Sequence, residues 1–223
     1  MSVVLWDFDE TLAEREGRWG GCLLEIIDRE YPGRRIDEAA LRAALRRGYP
    51  WHYPEVTHEH LNEPDAWWAA MHPTLVEGCL AGGLDIARAN HVAAQVRYCY
   101  ASPEAFRVYD DANEALSMFR ASGWRQAIVS NHVPELASLV RGLGLDEYFD
   151  VIFSSARTGY EKPHPQSMRL ALAHFDTETA WMIGDSEKAD IAAADAVGIP
   201  SVLVKRDTSA TPLIDAARLV LGR

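Results

Sequence analysis

Cysteine is scarce in this chain of 223 residues, and Cys22, Cys79 and Cys99 stand at unrelated spacings with no CxxC. An odd number so placed builds neither a disulfide framework nor a zinc ribbon; reduced thiols of a cytoplasmic protein are the simple expectation. No apolar run approaches the ~20 residues that a membrane-spanning helix needs. No basic stretch followed by an apolar one opens the chain, as a secretory leader would. Positive charge is also in short supply: 22 Lys and Arg stand against 33 Asp and Glu, a net charge of -11. That balance argues against a groove tracking nucleic-acid phosphates, whose affinity comes from Lys and Arg. It leaves room for a small phosphorylated substrate, because a local site can be positive inside an acidic protein. Low-complexity tracts and repeats are absent. With 48% hydrophobic and 25% charged residues, what is left is an ordinary globular composition, long enough for one large domain or two small ones.

The first strand carries chemistry at its end. Val3 to Trp6 is a short apolar run leading into Asp7-Phe8-Asp9-Glu10-Thr11-Leu12. In extended backbone, residues two apart share a face, so Asp7 and Asp9 project together while Phe8 turns the other way. Two carboxylates so close repel each other, more so when buried, and a cation or a proton must neutralise the pair. From about Arg15 to Tyr100 the pattern is helical, with no period-2 strand. Apolar-faced stretches cover 22–27, 37–47, 65–71, 73–80 and 85–98, punctuated by Pro32-Gly33, Gly48-Tyr49-Pro50 and Pro64.

From Ser102-Pro103 onward, short apolar runs alternate with helices. Strands are predicted over 126–129, 151–153, 181–183 and 202–204, with 218–221 as a last candidate. Helices are predicted over 111–122, 134–142, 166–174 and 188–197. This alternation predicts an α/β fold, a Rossmann-like doubly wound parallel sheet. Residues 1–14 and 102–223 would form the core catalytic domain, interrupted after the first strand by an all-helical cap domain, 15–101. Such sheets bind ligands at the carboxyl ends of their strands, near the switch point.

Four clusters follow one another along the chain: Asp7-x-Asp9-x-Thr11, Ser130-Asn131, Lys162-Pro163, and Gly184-Asp185-Ser186 with Asp190. Each alone is a weak signal; three of them lie directly after predicted strands. Together, with a helical insert behind the first, they resemble the haloacid dehalogenase (HAD) superfamily, in particular its phosphatase-like members with an inserted helical cap. The resemblance covers essentially the whole chain. It implies a Mg2+-dependent phosphatase acting on a small phosphorylated metabolite. Asp7 would be the nucleophile, forming an aspartyl-phosphate. Asp9 would protonate the leaving oxygen and then deprotonate the attacking water. Mg2+, a hard cation that prefers oxygen, would be held by the Asp7 and Asp185 side chains and the Asp9 backbone carbonyl. Ser130, with Asn131 beside it, would bind a phosphoryl oxygen. Lys162 would offset the charge of nucleophile and phosphate. Thr11 would steady the first-motif loop on the phosphate side of the site, and Asp190 would position Lys162 or a metal-bound water.

Asp9 separates branches of that superfamily, because its dehalogenases lack the second aspartate: displaced halide needs no proton. Phosphoryl transfer is therefore the expectation, with a phosphomutase or phosphotransferase, or a catalytically idle binding protein, as alternatives. Phosphonate cleavage through a Schiff base calls for a lysine in the cap, and the insert contains none. Glu10 stands where glycine is common. His132 follows the second motif, with substrate contact and structural hydrogen bonding both open. His52, His58, His60 and His72 have no cysteine or aspartate at a ligand spacing. Trp67 and Trp68, about 100° apart on a helix, leave one free to face the cleft. Arg15 and Arg18 begin the insert as substrate contacts or hinge charges. Gly17, Gly20, Gly21 and Ser102-Pro103 are hinge candidates for a cap that closes and excludes water. Monomer and homodimer both fit.

Overall fold

Apolar residues on both faces make β1 (Ser2–Trp6) the central strand of the sheet. In the computed structural model, which describes residues 2–177, 179–206 and 211–222, Val3 and Leu5 face a layer containing Met168, Ala171 and Phe175. Val4 and Trp6 face the opposite layer, with Leu116 and Phe119. The Trp6 indole meets the Phe119 ring edge-on at 5.5 Å, and its Nε1–H donates to Gln126 Oε1 at 3.0 Å. That bond satisfies two polar groups that burial would otherwise penalise.

After β1 come β2 (Ala13–Arg15), four helices and β3 (Phe106–Val108); the helices are α1 (Arg18–Glu30), α2 (Glu38–Ala44), α3 (Pro64–Ala81) and α4 (Ile86–Tyr100). Strand and helix then alternate through α5 (Ala112–Ala121), β4 (Arg125–Ser130), α6 (Leu136–Gly142), β5 (Val151–Ser154), α7 (Ser155–Thr158), α8 (Pro165–Phe175) and β6 (Thr179–Gly184). The chain finishes with α9 (Ala192–Asp195), β7 (Ser201–Leu203) and α10 (Pro212–Leu221). Five strands build one parallel sheet in the order β5-β4-β1-β6-β7. Winding runs outward from β1 to β5, then returns to β6 on the other side of β1. The crevice at that reversal lies over the carboxyl ends of β1 and β6, the place where open α/β sheets bind ligands.

Two local expectations are corrected, and one unpredicted ribbon is added. Residues 218–221 are the last turn of α10, not a strand; Leu213, Ile214, Ala216 and Ala217 of that helix are buried, so the apolar run belongs to a helix face. Helix α3 does not stop before Pro73 but runs through it over 18 residues. The proline removes one ladder bond, and burial of Trp67, Trp68, Met71, Leu75 and Val76 on the same helix outweighs that loss. Finally, β2 and β3 pair antiparallel, with Ala13 opposite Val108 and Arg15 opposite Phe106. This ribbon lays the two crossings into and out of the helical insert side by side.

The insert is also tied to the sheet layer by side chains. Trp68 Nε1–H donates to Glu135 at 3.0 Å, and Arg97 Nε–H donates to the same carboxylate at 2.8 Å. Elsewhere the His58 backbone N–H donates to the Gly159 carbonyl at 2.7 Å. No helix among the described residues is long and apolar enough to cross a membrane.

Candidate active site

Strand ends bring the charged residues together. Asp7 follows β1, and its N–H donates to the Ile183 carbonyl of β6 at 2.9 Å. Asp185 follows β6, and Ser130, 2% exposed, closes β4 just before Asn131. Lys162 reaches in from the loop between α7 and α8. Its Nζ donates to Asp7 Oδ1 at 2.8 Å and to Asp190 Oδ1 at 2.5 Å, with the side chain 1% exposed. Burial works against its charge, but the Asp190 and Asp7 carboxylates outweigh burial and hold its pKa above the ordinary value. Asp190 lies on a π-helical turn, Glu187–Ile191, and its second oxygen accepts from the Ser186 N–H at 2.9 Å. Gly184 is required by close approach: a Cβ there would collide with the Asp190 carboxyl.

Two of the residues expected on the phosphate side make structural contacts, and Asn131 also lines the cleft. Asn131 brackets the backbone of Lys162, its Nδ2 donating to the Lys162 carbonyl at 2.9 Å and its Oδ1 accepting from the Lys162 N–H at 2.7 Å. Its amide positions the lysine. Thr11 is fully buried; its hydroxyl lies 3.5 Å from Asp185 Oδ1 and its carbonyl accepts from Arg206 at 2.6 Å. It supports the loop from behind; neither Thr11 nor Ser130 is among the residues that line the cleft.

The carboxylates outnumber the cation among them. Burial first, then the Asp7 charge, pushes the Asp9 pKa up to about 7, and the exposed third of its side chain faces the cleft. Burial and the charges of Asp7 and Asp190 push Asp185 up to about 7 as well. Oxygens of Asp7, Asp185 and Asp190 lie within 4.8 Å of one another. Asp190 has both oxygens engaged by Lys162 and Ser186, so Asp7 and Asp185 are the pair with oxygen to offer. All-oxygen donors with uncompensated negative charge suit a hard divalent cation.

The cleft above these residues has a volume of about 770 Å³. Its far wall comes from the insert, where Trp19, Tyr49 and Trp51 pack with Tyr100 at the end of α4. Trp19 and Tyr100 stack at 3.9 Å, Tyr49 and Trp51 at 4.7 Å. Sequence reasoning missed this wall, because three of the rings sit at a helix start or in a loop, where periodicity cannot orient them. Trp67 and Trp68 are both buried, so neither is the free cleft residue the helix spacing allowed. Arg15 is buried and pairs with Glu25 at 2.8 Å, while Arg18 lines the cleft and pairs with Glu10 at 3.1 Å. His132 also lines the cleft; neither ring nitrogen has a hydrogen-bond partner among the described residues. Its Nε2 lies 3.7 Å from Asp9 Oδ2, and burial pushes its pKa down to about 4, which keeps the ring neutral.

Comparison with known proteins gives the family. Residues 1–198 match the haloacid dehalogenase-like hydrolase family, and the chain belongs to that family. It is 29% identical over 217 residues to human haloacid dehalogenase-like hydrolase domain-containing protein 3, covering 95% of this chain and 85% of the relative. Over 126 residues it is 38% identical to a ribulose-1,5-bisphosphate 5-phosphatase of Halopiger xanaduensis, covering 54% of this chain and 52% of that protein. A HAD phosphatase from Thermococcus onnurineus shares the fold, with a TM-score of 0.66 at 21% identity over 100% of this chain and 98% of that one. The protein is accordingly a hydrolase of this family.

Proposed function

We propose that this hydrolase is a Mg2+-dependent phosphatase, releasing inorganic phosphate from a small phosphorylated metabolite through an aspartyl-phosphate on Asp7. The observation that carries the reading is the Asp7–Lys162–Asp190 contact, buried at the strand ends, with a protonatable Asp9 on the same cleft. The free Asp7 oxygen attacks phosphorus and the bond to the leaving oxygen breaks. Asp9, with a pKa near 7, supplies the proton that the leaving oxygen takes up. A water then attacks the phosphoryl-enzyme, Asp9 accepts its proton, and phosphate departs with Asp7 regenerated. Lys162 balances the nucleophile and the phosphoryl oxygens, Asn131 holds Lys162 in place, and Ser130 donates to a phosphoryl oxygen. Mg2+ held by the Asp7 and Asp185 side chains and the Asp9 carbonyl would screen these carboxylates from the incoming phosphate. Residues 15–101 act as a cap on the core of 1–14 and 102–223. The phosphatase names among its relatives support the same reaction class.

The test is phosphate release from a panel of phosphorylated metabolites, with Mg2+ or with excess chelator, for the wild type and Asp7→Asn. Release that needs the metal and vanishes in the variant supports the reading. Phosphate passing to a second substrate hydroxyl, with no free phosphate formed, would replace it by a phosphotransferase.

A further inference from the structure

We propose that the cleft selects phosphomonoesters whose leaving group carries a second negative charge, and that Arg46 and Lys188 hold that charge; the proposal rests on the phosphatase reading and names its substrate class. Five cationic side chains line the cleft: Arg18, Arg42, Arg46, Lys162 and Lys188. Three are already matched. Lys162 holds Asp7 and Asp190, Arg18 pairs with Glu10 at 3.1 Å, and Arg42 pairs with Glu38 at 3.5 Å. Arg46 and Lys188 are exposed, and their side chains make no hydrogen bond or ion pair among the described residues.

These two cations come from opposite walls. Arg46 lies just past α2, in the insert, and Lys188 on the π-helical turn, two residues before Asp190. The carboxylates that line the cleft, Asp7, Asp9, Glu10 and Asp185, all belong to the segment around β1 and β6. From the insert the lining takes three arginines and not one carboxylate. In a chain of net charge -11, this is a local reversal of sign that draws anions in from solution. The phosphoryl group under attack is served by Lys162 at the bottom of the cleft. A cavity of about 770 Å³ lies in the range of whole small-molecule sites, so most of it is room for the leaving group. The ring wall of Trp19, Tyr49, Trp51 and Tyr100 offers the middle of such a molecule an apolar surface. Only the two unpaired cations remain for a charge at its far end. A guanidinium fork and an ammonium suit a carboxylate or a second phosphate equally.

The experiment compares ligand pairs that differ in the second anion: glycerol 3-phosphate against 3-phosphoglycerate, and fructose 6-phosphate against fructose 1,6-bisphosphate. kcat/KM is measured with wild-type enzyme and Mg2+, and Kd by calorimetry with the Asp7→Asn protein. Wild type, Arg46→Ala, Lys188→Ala and the double variant are compared, after circular dichroism shows that each is folded. The expected result is an advantage of about tenfold or more for the doubly charged member of each pair. That advantage shrinks in either single variant, is lost in the double, and falls as salt is raised. Turnover of both members with no preference overturns the inference and leaves the phosphatase reading intact. Tighter binding of the doubly charged member without turnover of either keeps the anion subsite and removes the phosphatase reading. A preference that survives in the double variant overturns the assignment to Arg46 and Lys188.

Discussion

Asp9 and Glu161 show how burial, joined at Asp9 by the Asp7 charge, sets two carboxyl groups to different tasks. Asp9 faces the cleft with its pKa pushed up to about 7, so near neutral pH it can both give and take a proton on the side of the cleft. Asp9→Asn removes that transfer while keeping the shape. Turnover of alkyl phosphates should fall by a factor of about 100 or more, with a smaller fall for p-nitrophenyl phosphate, whose leaving group departs unprotonated. Equal losses for both would assign Asp9 to structure instead. Glu161 is 1% exposed with Oε2 unpartnered, and burial pushes its pKa from 4.5 up to about 7, against the Ser155 hydrogen bond and the Lys162 charge. The folded state therefore keeps a proton that the unfolded chain has lost above pH 4.5. Stability from this group is full below that pH and declines as pH rises to about 7, by up to about 3 kcal/mol. Glu161→Gln should flatten the fall of melting temperature between pH 5 and 8 and leave the variant the more stable at pH 8. Parallel curves would show that Glu161 does not govern the decline. Glu10 makes a different point. Its backbone is left-handed, at φ 58°, which explains physically why glycine is common there.

Elements differ in how plainly they can be read. β1, β4 and β6 were legible because a strand buried on both faces leaves a short apolar run ending at a polar cluster. That reading already placed Asp7, Asn131 and Asp185 over one edge of the sheet. The β2–β3 ribbon was not legible, since each strand has three residues and the partner lies beyond the whole insert. The link from Asn131 to Lys162 was hidden for the same reason: it joins two loops across 31 positions. Close packing between β6 and the π-helical turn has a direct test. At Gly184 a methyl group would meet the Asp190 carboxyl and backbone-linked Cβ, not a flexible tip, so Gly184→Ala must displace Asp190 and through it Lys162. The variant should lose at least ten times more in kcat than in KM, because substrate still enters while the ammonium is misplaced. A variant with wild-type kcat would show that the turn yields without moving Lys162.

At the scale of the molecule, the cleft lies between two bodies of structure whose contacts decide how closed it is. Glu135, beside the start of α6, accepts from both Trp68 of α3 and Arg97 of α4, and Arg97 also reaches Asp65 at 2.6 Å. One carboxylate thus joins the sheet layer to two helices of the insert. The β2–β3 ribbon forms a second joint in addition to this polar latch, and the His58–Gly159 backbone bond and the Arg157–Glu63 ion pair at 3.7 Å add further ties. Trp68 is 8% exposed, and a buried indole N–H deprived of its acceptor costs about 1–3 kcal/mol. Glu135→Ala should therefore weaken the closed arrangement more than it weakens the sheet itself. We expect KM to rise several-fold with a much smaller change in kcat, faster tryptic cleavage within 15–101, and a red shift of tryptophan emission as Trp68 meets water. Glu135→Gln keeps an acceptor for Trp68 but gives up the charge that Arg97 holds, and should fall between the two. If both variants leave KM and cleavage unchanged, the latch does not set closure, and the hinge ribbon with the His58–Gly159 bond must carry it.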